Sequence, residues 1–232
     1  MENVIEVRNL YKLYRVGDEV VHALDGVSFE IPRGEFCAIV GTSGSGKSTL
    51  LNMLAGLEKP TKGKIRIAGH QIEGFSEDRL VAFRREHVGF IFQAFHLLGT
   101  MNALEKCGIA FKLPGRSGQE AAGGGRPDAG SCENCQGIKK HLPSQMSGGQ
   151  QQRVGVARAL AVDPEIIFAD EPTGNLDSHT SREVMELMRQ VVCEQKKTLV
   201  MVTHDNGLAS YADRVFHISD GKIVKIEGGN EV

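Results

Sequence analysis

Eight consecutive residues, Gly41-Thr42-Ser43-Gly44-Ser45-Gly46-Lys47-Ser48, fill every fixed position of G-x-x-x-x-G-K-[ST]. This spacing serves the binding of a nucleoside triphosphate. The glycines let the backbone turn tightly, so that successive N–H groups point at phosphate oxygens. The helix that follows adds the partial positive charge of its N-terminus. Lys47 is placed to reach the β- and γ-phosphates, and the Ser48 hydroxyl to ligate Mg²⁺.

Other polar groups sit where such a site needs them. Asp170 and Glu171 end the apolar run Ile166-Ile167-Phe168-Ala169. Asp170 is a candidate to hold Mg²⁺ through water or through Ser48, and Glu171, pointing elsewhere, to polarise an attacking water. Gln93 ends the run that begins at Val88 and is a candidate ligand of Mg²⁺ or of its water. His204 stands at the tip of Thr198–Thr203, on the side where crevices of α/β sheets open. Ser147-Gly148-Gly149-Gln150 opens a helical stretch in which Ser147 and Gln150 have capping-box spacing. Two glycines in a first helical turn cost about 1 kcal/mol each against alanine. They would be useful where backbone N–H groups must be bared to an anion. A capped helix and a second phosphate-binding helix start are both compatible with these residues. Tyr11 and Tyr14 are each compatible with stacking on a flat base or with packing on their own lobe.

These groups need a scaffold. Strands alternating with helices imply a mostly parallel sheet, whose carboxyl ends bring Ser48, Gln93, Asp170, Glu171 and His204 to one edge. Phe36–Val40 reads as a buried strand before the glycine-rich loop, and Ser48 to Leu57 as a helix ending at Gly56. Val4–Val7, Val20–Ala23 and Val27–Ile31, with Gly17-Asp18 and Asp25-Gly26 as turn dipeptides, predict an antiparallel β-lobe closed by Pro32-Arg33-Gly34. Ser76-Glu77-Asp78 opens a helix to about Glu86. Ser178 is predicted to cap a helix with Val184, Leu187, Met188, Val191 and Val192 on one face. Val215–Ser219 and Lys222–Ile226, joined at Asp220-Gly221, predict a terminal hairpin. Residues 106–145 are dense in glycine, and from Pro114 to Ser131 no helical period is present, so the composition there is that of loop or disorder.

Bulk properties narrow the classes of partner. A net charge of −2 over 232 residues does not favour nucleic acid, and none is expected. No apolar run reaches the ~18 residues of a membrane span, and Met1-Glu2-Asn3-Val4 lacks signal-peptide shape. A cytoplasmic protein is expected, with any membrane span supplied by another chain. The five cysteines are scattered, and Cys132-x-x-Cys135 stands alone, which fits reduced thiols.

Taken in order, the motifs resemble those of the ATP-binding subunit of an ABC transporter. They are the phosphate loop Gly41–Ser48, a Q-loop at Gln93, a signature at Met146-Ser147-Gly148-Gly149-Gln150, an acidic strand Ile166–Glu171, a D-loop at Asn175-Leu176-Asp177 and a switch histidine, His204. The resemblance implies an α/β fold, a P-loop NTPase of ABC type. It has a mostly parallel core sheet, an antiparallel β-lobe and a small α-helical lobe. One ABC ATPase domain would span 1–232, with β-lobe and RecA-like core at 1–92 and 162–232 and the helical lobe at about 93–161. It implies ATP and Mg²⁺ as ligands, with Tyr14 rather than Tyr11 stacking on adenine. Gly41 to Ser48 and Thr49 would lie around the phosphates. Glu171 would be the general base, His204 would hold the γ-phosphate, and Ser48, Gln93 and Asp170 would surround the metal. Two copies would face head to tail, so that Ser147, Gly148, Gly149 and Gln150 of one grip ATP held by Lys47 of the other, and Asp177 links the two sites. An integral membrane permease would dock by Gln93 and Phe95-His96-Leu97-Leu98, holding the chain peripherally on the cytoplasmic face.

Gly148-Gly149-Gln150-Gln151-Gln152-Arg153 and Glu171-Pro172-Thr173-Gly174-Asn175-Leu176-Asp177-Ser178 resemble the branch of lipoprotein release, macrolide export and cell division. Export or extraction of a lipophilic substrate is therefore expected. A non-transporting regulator acting on a cell-division-type membrane partner is the alternative. Residues 94–145 leave no room for the long coiled coil of DNA-repair relatives. Residues 106–132 depart from the family pattern of amphipathic helices, and a segment read out of frame relative to its relatives is the expected cause.

Overall fold

The computed structural model describes residues 2–106, 138 and 140–229. The atypical stretch, Lys106 apart, lies outside the described residues, as do Cys107, Cys132 and Cys135. The frame-shift expectation therefore also falls outside them.

Two long strands open the chain, β1 (Asn3–Val16) and β2 (Glu19–Pro32), antiparallel about Gly17-Asp18. The dipeptide Asp25-Gly26 is no turn: it lies inside β2. Tyr11 pairs with Asp25 and Leu10 with Val27, so Gly26 is the extra residue of a β-bulge. Its φ of 79° is one that glycine adopts without a Cβ penalty. The separate runs Val20–Ala23 and Val27–Ile31 are thus one kinked strand.

The next elements are β3 (Phe36–Val40), α1 (Lys47–Leu54), β4 (Lys62–Ile67), β5 (His70–Gln71), α2 (Glu77–His87) and β6 (Val88–Phe92). Ser76 caps α2 by accepting the Arg79 N–H, and the first turn carries Glu77 and Asp78 while the last carries Arg84, Arg85 and His87. Each charge opposes the nearer end of the helix dipole. After a 3-10 turn at Pro143–Gln145 come α3 (Gly148–Leu160), β7 (Ile166–Asp170), α4 (Ser178–Gln195), β8 (Thr198–Thr203), α5 (Asn206–Ala209) and the hairpin β9 (Arg214–Ser219) and β10 (Lys222–Gly228). The cap of α4 is Asp177, one residue earlier than expected. Its carboxylate accepts from the N–H groups of His179 and Thr180, which the shorter Ser178 side chain, already inside the first turn, does not do.

Two sheets result. One is antiparallel, in the order β2-β1-β4-β5. The other runs β10-β9-β3-β8-β7-β6. Within it β9, β3, β8, β7 and β6 are parallel neighbours, and β10 is antiparallel at one edge. Strand alternation sorts the core onto two faces. Cys37, Ile39, Ile166, Phe168, Val200 and Val202 pack toward α1 and the β-lobe. Phe36, Ala38, Val40, Ile167, Ala169, Leu199 and Met201 pack toward α3 and α4. Because both faces are covered, β3 and β8 are buried throughout and show no polar alternation. Met146, Val154, Ala103 and Ile138 form a separate small cluster. No helix among the described residues is long and apolar enough to cross a membrane. Cys37 is buried in β3, where burial above all pushes its thiol up, and Cys193 is exposed.

Candidate functional site

The parallel register decides which residues meet. Val40 pairs with Thr203, and Asp170 pairs with Val202 on one side and Phe92 on the other. Gly41, His204, Glu171 and Gln93, each next to one of these strand ends, therefore emerge along one edge of the sheet.

The glycine-rich loop is held by close backbone contacts. A Cβ at Gly41 would stand 2.2 Å from the Ile218 carbonyl, and one at Gly46 would stand 2.3 Å from the Ala23 carbonyl. Gly46, at φ 103°, is the N-cap of α1 and gives it no side-chain cap. The first N–H groups of α1 are thus left for another acceptor. Lys47 is buried, with Nζ donating to the carbonyls of Gly41 at 2.8 Å and Thr42 at 2.7 Å. The Ser45 hydroxyl is buried without a protein partner. An uncapped helix start, a lysine folded over the loop and an unsatisfied hydroxyl fit a polyphosphate.

Residues 166, 168 and 170 share one face of β7, and that face carries Asp170 to α1, beside the Ser48 hydroxyl. Burial first, and the charge of Glu171 second, push the Asp170 carboxyl up; the Ser48 hydrogen bond and the Lys47 charge pull it down. A half-buried carboxylate that ionises at a cost, beside a hydroxyl, fits a divalent cation, whose charge removes that cost.

Glu171 follows on the opposite side. Its backbone is left-handed, at φ 43°, an unusual state for a residue with a long side chain. Its N–H donates to the Val202 carbonyl at 3.0 Å, which ties it to the end of β8. The turn aims its carboxylate at His204, with Oε1 3.0 Å from Nδ1. His204 is 65% exposed and Glu171 25%, so the histidine is the accessible member of the pair. Gln93 is exposed, and its amide lies against Gly174, where a Cβ would meet Nε2 at 2.6 Å. Asn175 Nδ2 donates to the Gln93 carbonyl at 3.0 Å. The structure therefore brings Ser48 to Asp170 and Glu171 to His204, and sets Gln93 on the loop after Glu171.

At the start of α3, Ser147 and Gln150 form the expected capping box. Gly149 is buried, and a Cβ there would stand 2.3 Å from Thr180 Cγ2. The same threonine donates its hydroxyl to Asp177 at 2.7 Å. Asp177 is held below the ordinary carboxylate range, first by the Thr180 N–H and then by that hydroxyl. A Cβ on Gly148 would find Leu176 and Phe95 as nearest side chains. The neighbours of the two glycines thus come from the segment 175–180 and from Phe95, not from the phosphate loop.

The two tyrosines separate. Tyr11 packs its hydroxyl on the Gly26 bulge. Tyr14 lies near Thr49 of α1, its hydroxyl hydrogen-bonded to Glu58.

Thr180 and Gln152 were not evident as site residues from the sequence. Gln152 is fully buried, and its Nε2 donates to the Pro172 carbonyl at 2.6 Å and to the Phe92 carbonyl at 3.4 Å. It bolts α3 to the residue after Glu171 and to the residue before Gln93. A signal was present: Gly149, Gln152, Val156 and Ala159 fall on one buried helix face, and a polar residue on such a face needs partners.

Residues 24–174 match the family described as ABC transporter. The chain is 45% identical over 224 residues to the macrolide export ATP-binding/permease protein MacB of Chlorobaculum tepidum, covering 95% of this chain and 34% of that one. It is 41% identical over 227 residues to the ABC transporter ATP-binding protein MJ0796 of Methanocaldococcus jannaschii, covering 97% of each. It is 39% identical over 222 residues to the lipoprotein-releasing system ATP-binding protein LolD of Chromohalobacter salexigens, covering 96% of this chain and 93% of that one. The chain thus spans about a third of the macrolide exporter and nearly all of the other two. Among solved structures, a dimeric, post-hydrolysis state of the MJ0796 cassette bound to ADP and Pi is similar at a TM-score of 0.84 and 40% identity, covering 98% of this chain and 100% of that chain.

Proposed function

The chain belongs to the ABC transporter family, and from that premise we propose that it closes with a second copy around two ATP molecules and thereby drives a separate membrane subunit. It is the ATP-binding, ATP-hydrolysing component of such a system. One observation carries the proposal for the pair. Lys47 and its cradle lie at one helix start, whereas Ser147, Gly148 and Gly149 lie at another whose neighbours are Phe95 and the 175–180 segment. Each is half of a phosphate clamp, and a head-to-tail pair unites them.

Within each half, Lys47 exchanges the Gly41 and Thr42 carbonyls for β- and γ-phosphate oxygens. The bare N–H groups of α1 take the remaining phosphate charge. Ser48 and Asp170 would hold Mg²⁺, which would neutralise charge on the phosphate oxygens. Gln93, packed against the loop that follows Glu171, would complete the metal surroundings. Glu171 takes a proton from the attacking water, and His204 keeps contact with the γ-phosphate side. The partner subunit's Ser147 supplies its hydroxyl and the open helix start behind it, and Asp177 reports across the pair.

The relatives named for macrolide export and lipoprotein release support an apolar or lipidated cargo. The chain then sits on the cytoplasmic face of a membrane through its permease. Membranes carrying the tagged chain should yield, on mild detergent extraction, one integral membrane protein in stoichiometric amount by mass spectrometry. Purified chain should hydrolyse ATP, and Lys47→Ala should lose binding of a fluorescent ATP analogue. Recovery of the chain alone, from the soluble fraction only, counts against the membrane partner.

A further inference from the structure

Tyr14 is held at its hydroxyl by a carboxylate that follows α1. Its hydroxyl donates to Glu58, with both carboxylate oxygens at 2.8 Å, and it lies near Thr49, the residue after Ser48 in α1. Glu58 is itself fixed. Lys12 Nζ lies 2.8 Å from its Oε1 and donates to the Lys59 carbonyl at 2.8 Å. The same ammonium stands 5.1 Å from the Tyr14 ring centroid. Lys12 is 13% exposed and Glu58 28%, so the pair is less open to screening than a surface ion pair.

The arrangement crosses elements. Tyr14 belongs to β1, in the antiparallel sheet, while Thr49 belongs to the helix whose N-terminus faces the phosphates. Glu58 follows that helix. An aromatic platform on one element and a phosphate cradle on another must keep a fixed separation if one ligand is to touch both. We propose that Glu58, clamped by Lys12, is a positioning residue that locks the Tyr14 ring to α1 and so sets the site's affinity for the nucleotide base. The proposal rests on the assignment of Tyr14 as the base-stacking residue. A free tyrosine would lose rotamer freedom at each binding event; Glu58 removes that loss beforehand.

The test compares Glu58→Ala, Glu58→Gln, Tyr14→Phe and Tyr14→Ala in the intact chain. The readouts are KM and kcat for ATP and the inhibition constant of inorganic tripolyphosphate, a competitor with no base. Glu58→Ala and Tyr14→Phe should each raise KM about three- to tenfold, the range that fixing one side chain is worth, with a smaller change in kcat. The tripolyphosphate constant should stay within about twofold. Glu58→Gln, which keeps an acceptor for the phenol, should restore most of the affinity. A parallel rise in KM and in the tripolyphosphate constant would mean damage to the cradle and would overturn the proposal. If Tyr14→Ala raises KM while Glu58→Ala and Tyr14→Phe leave it unchanged, base stacking stands and the positioning role falls. If Tyr14→Ala leaves KM unchanged, the base-stacking assignment fails, and the proposal with it.

Discussion

Glu171 Oε1 lies 3.0 Å from His204 Nδ1, although the two residues stand at the ends of different strands. The left-handed turn at Glu171 and its N–H bond to the Val202 carbonyl create this approach. The contact occupies one carboxylate oxygen and leaves the other for a water. Glu171→Gln keeps the shape and the histidine contact but removes the basic oxygen pair. It should lower kcat by about 10²- to 10⁴-fold, and ATP-dependent pairs should accumulate on size-exclusion chromatography. Normal turnover in that variant would exclude Glu171 as the base.

Gly149 offers a second test, because its methyl-sized gap is filled by Thr180. Gly149→Ala drives a Cβ into Thr180 Cγ2, at 2.3 Å before relaxation. Overpacking of about 1–3 kcal/mol should weaken ATP-dependent pairing in the Glu171→Gln background by about tenfold or more. Thr180→Ser removes the offending methyl yet keeps the hydroxyl that bonds Asp177. The double variant should recover pairing, measured by analytical ultracentrifugation. Failure to recover would place the need for Gly149 in phosphate contact rather than in packing against α4.

In the candidate site, the parts whose chemistry is local are legible in the sequence. Lys47, Ser48, Asp170 and Glu171 stand in short motifs whose flanking strands and helices are fixed by apolar runs. Relations carried by packing were not legible. Nothing in Thr180 announces that its methyl closes on Gly149, and Asp25-Gly26 reads as a turn because bulge and turn use the same residues. The register of β1 against β2, set by burial of Leu10, Leu24 and Val27, decided between them. Asp177 displaced Ser178 as cap because a carboxylate one residue earlier reaches two N–H groups at once.

Gln152 connects α3 to the residues next to Gln93 and Glu171. Gln152→Leu should leave the Pro172 and Phe92 carbonyls without this donor and cost about 1–3 kcal/mol, or about 3–10 °C in Tm, by differential scanning calorimetry. At a temperature where the variant is folded, kcat should fall more than KM rises, since the signature helix loses its tie to Pro172 and Phe92. A drop in Tm with kcat intact would make the residue a matter of stability alone.

Asp170 links the proposed metal site to pH. Its folded-state pKa is raised, so the folded chain binds this proton more readily than the unfolded chain. The stability it contributes is therefore full below the unfolded value and is lost as pH rises through the folded value. At neutral pH the ionised group is a cost, discounted because it is only half buried. Asp170→Asn should raise the Tm of the nucleotide-free chain, because the neutral amide escapes the cost of burying a charge. It should also abolish most of the further rise produced by Mg-ATP. An unchanged nucleotide-free Tm would argue against the burial cost, and a full Mg-ATP response would argue against the metal role.

The shared site is tested most directly by a crystal structure of the Glu171→Gln chain with Mg-ATP. Ser147 Oγ and the N–H groups that open α3 should lie about 3 Å from the γ-phosphate oxygens of the nucleotide held by the partner's Lys47. A pair in which the α3 start lies far from either γ-phosphate, or a monomer that closes a complete site by itself, would contradict it.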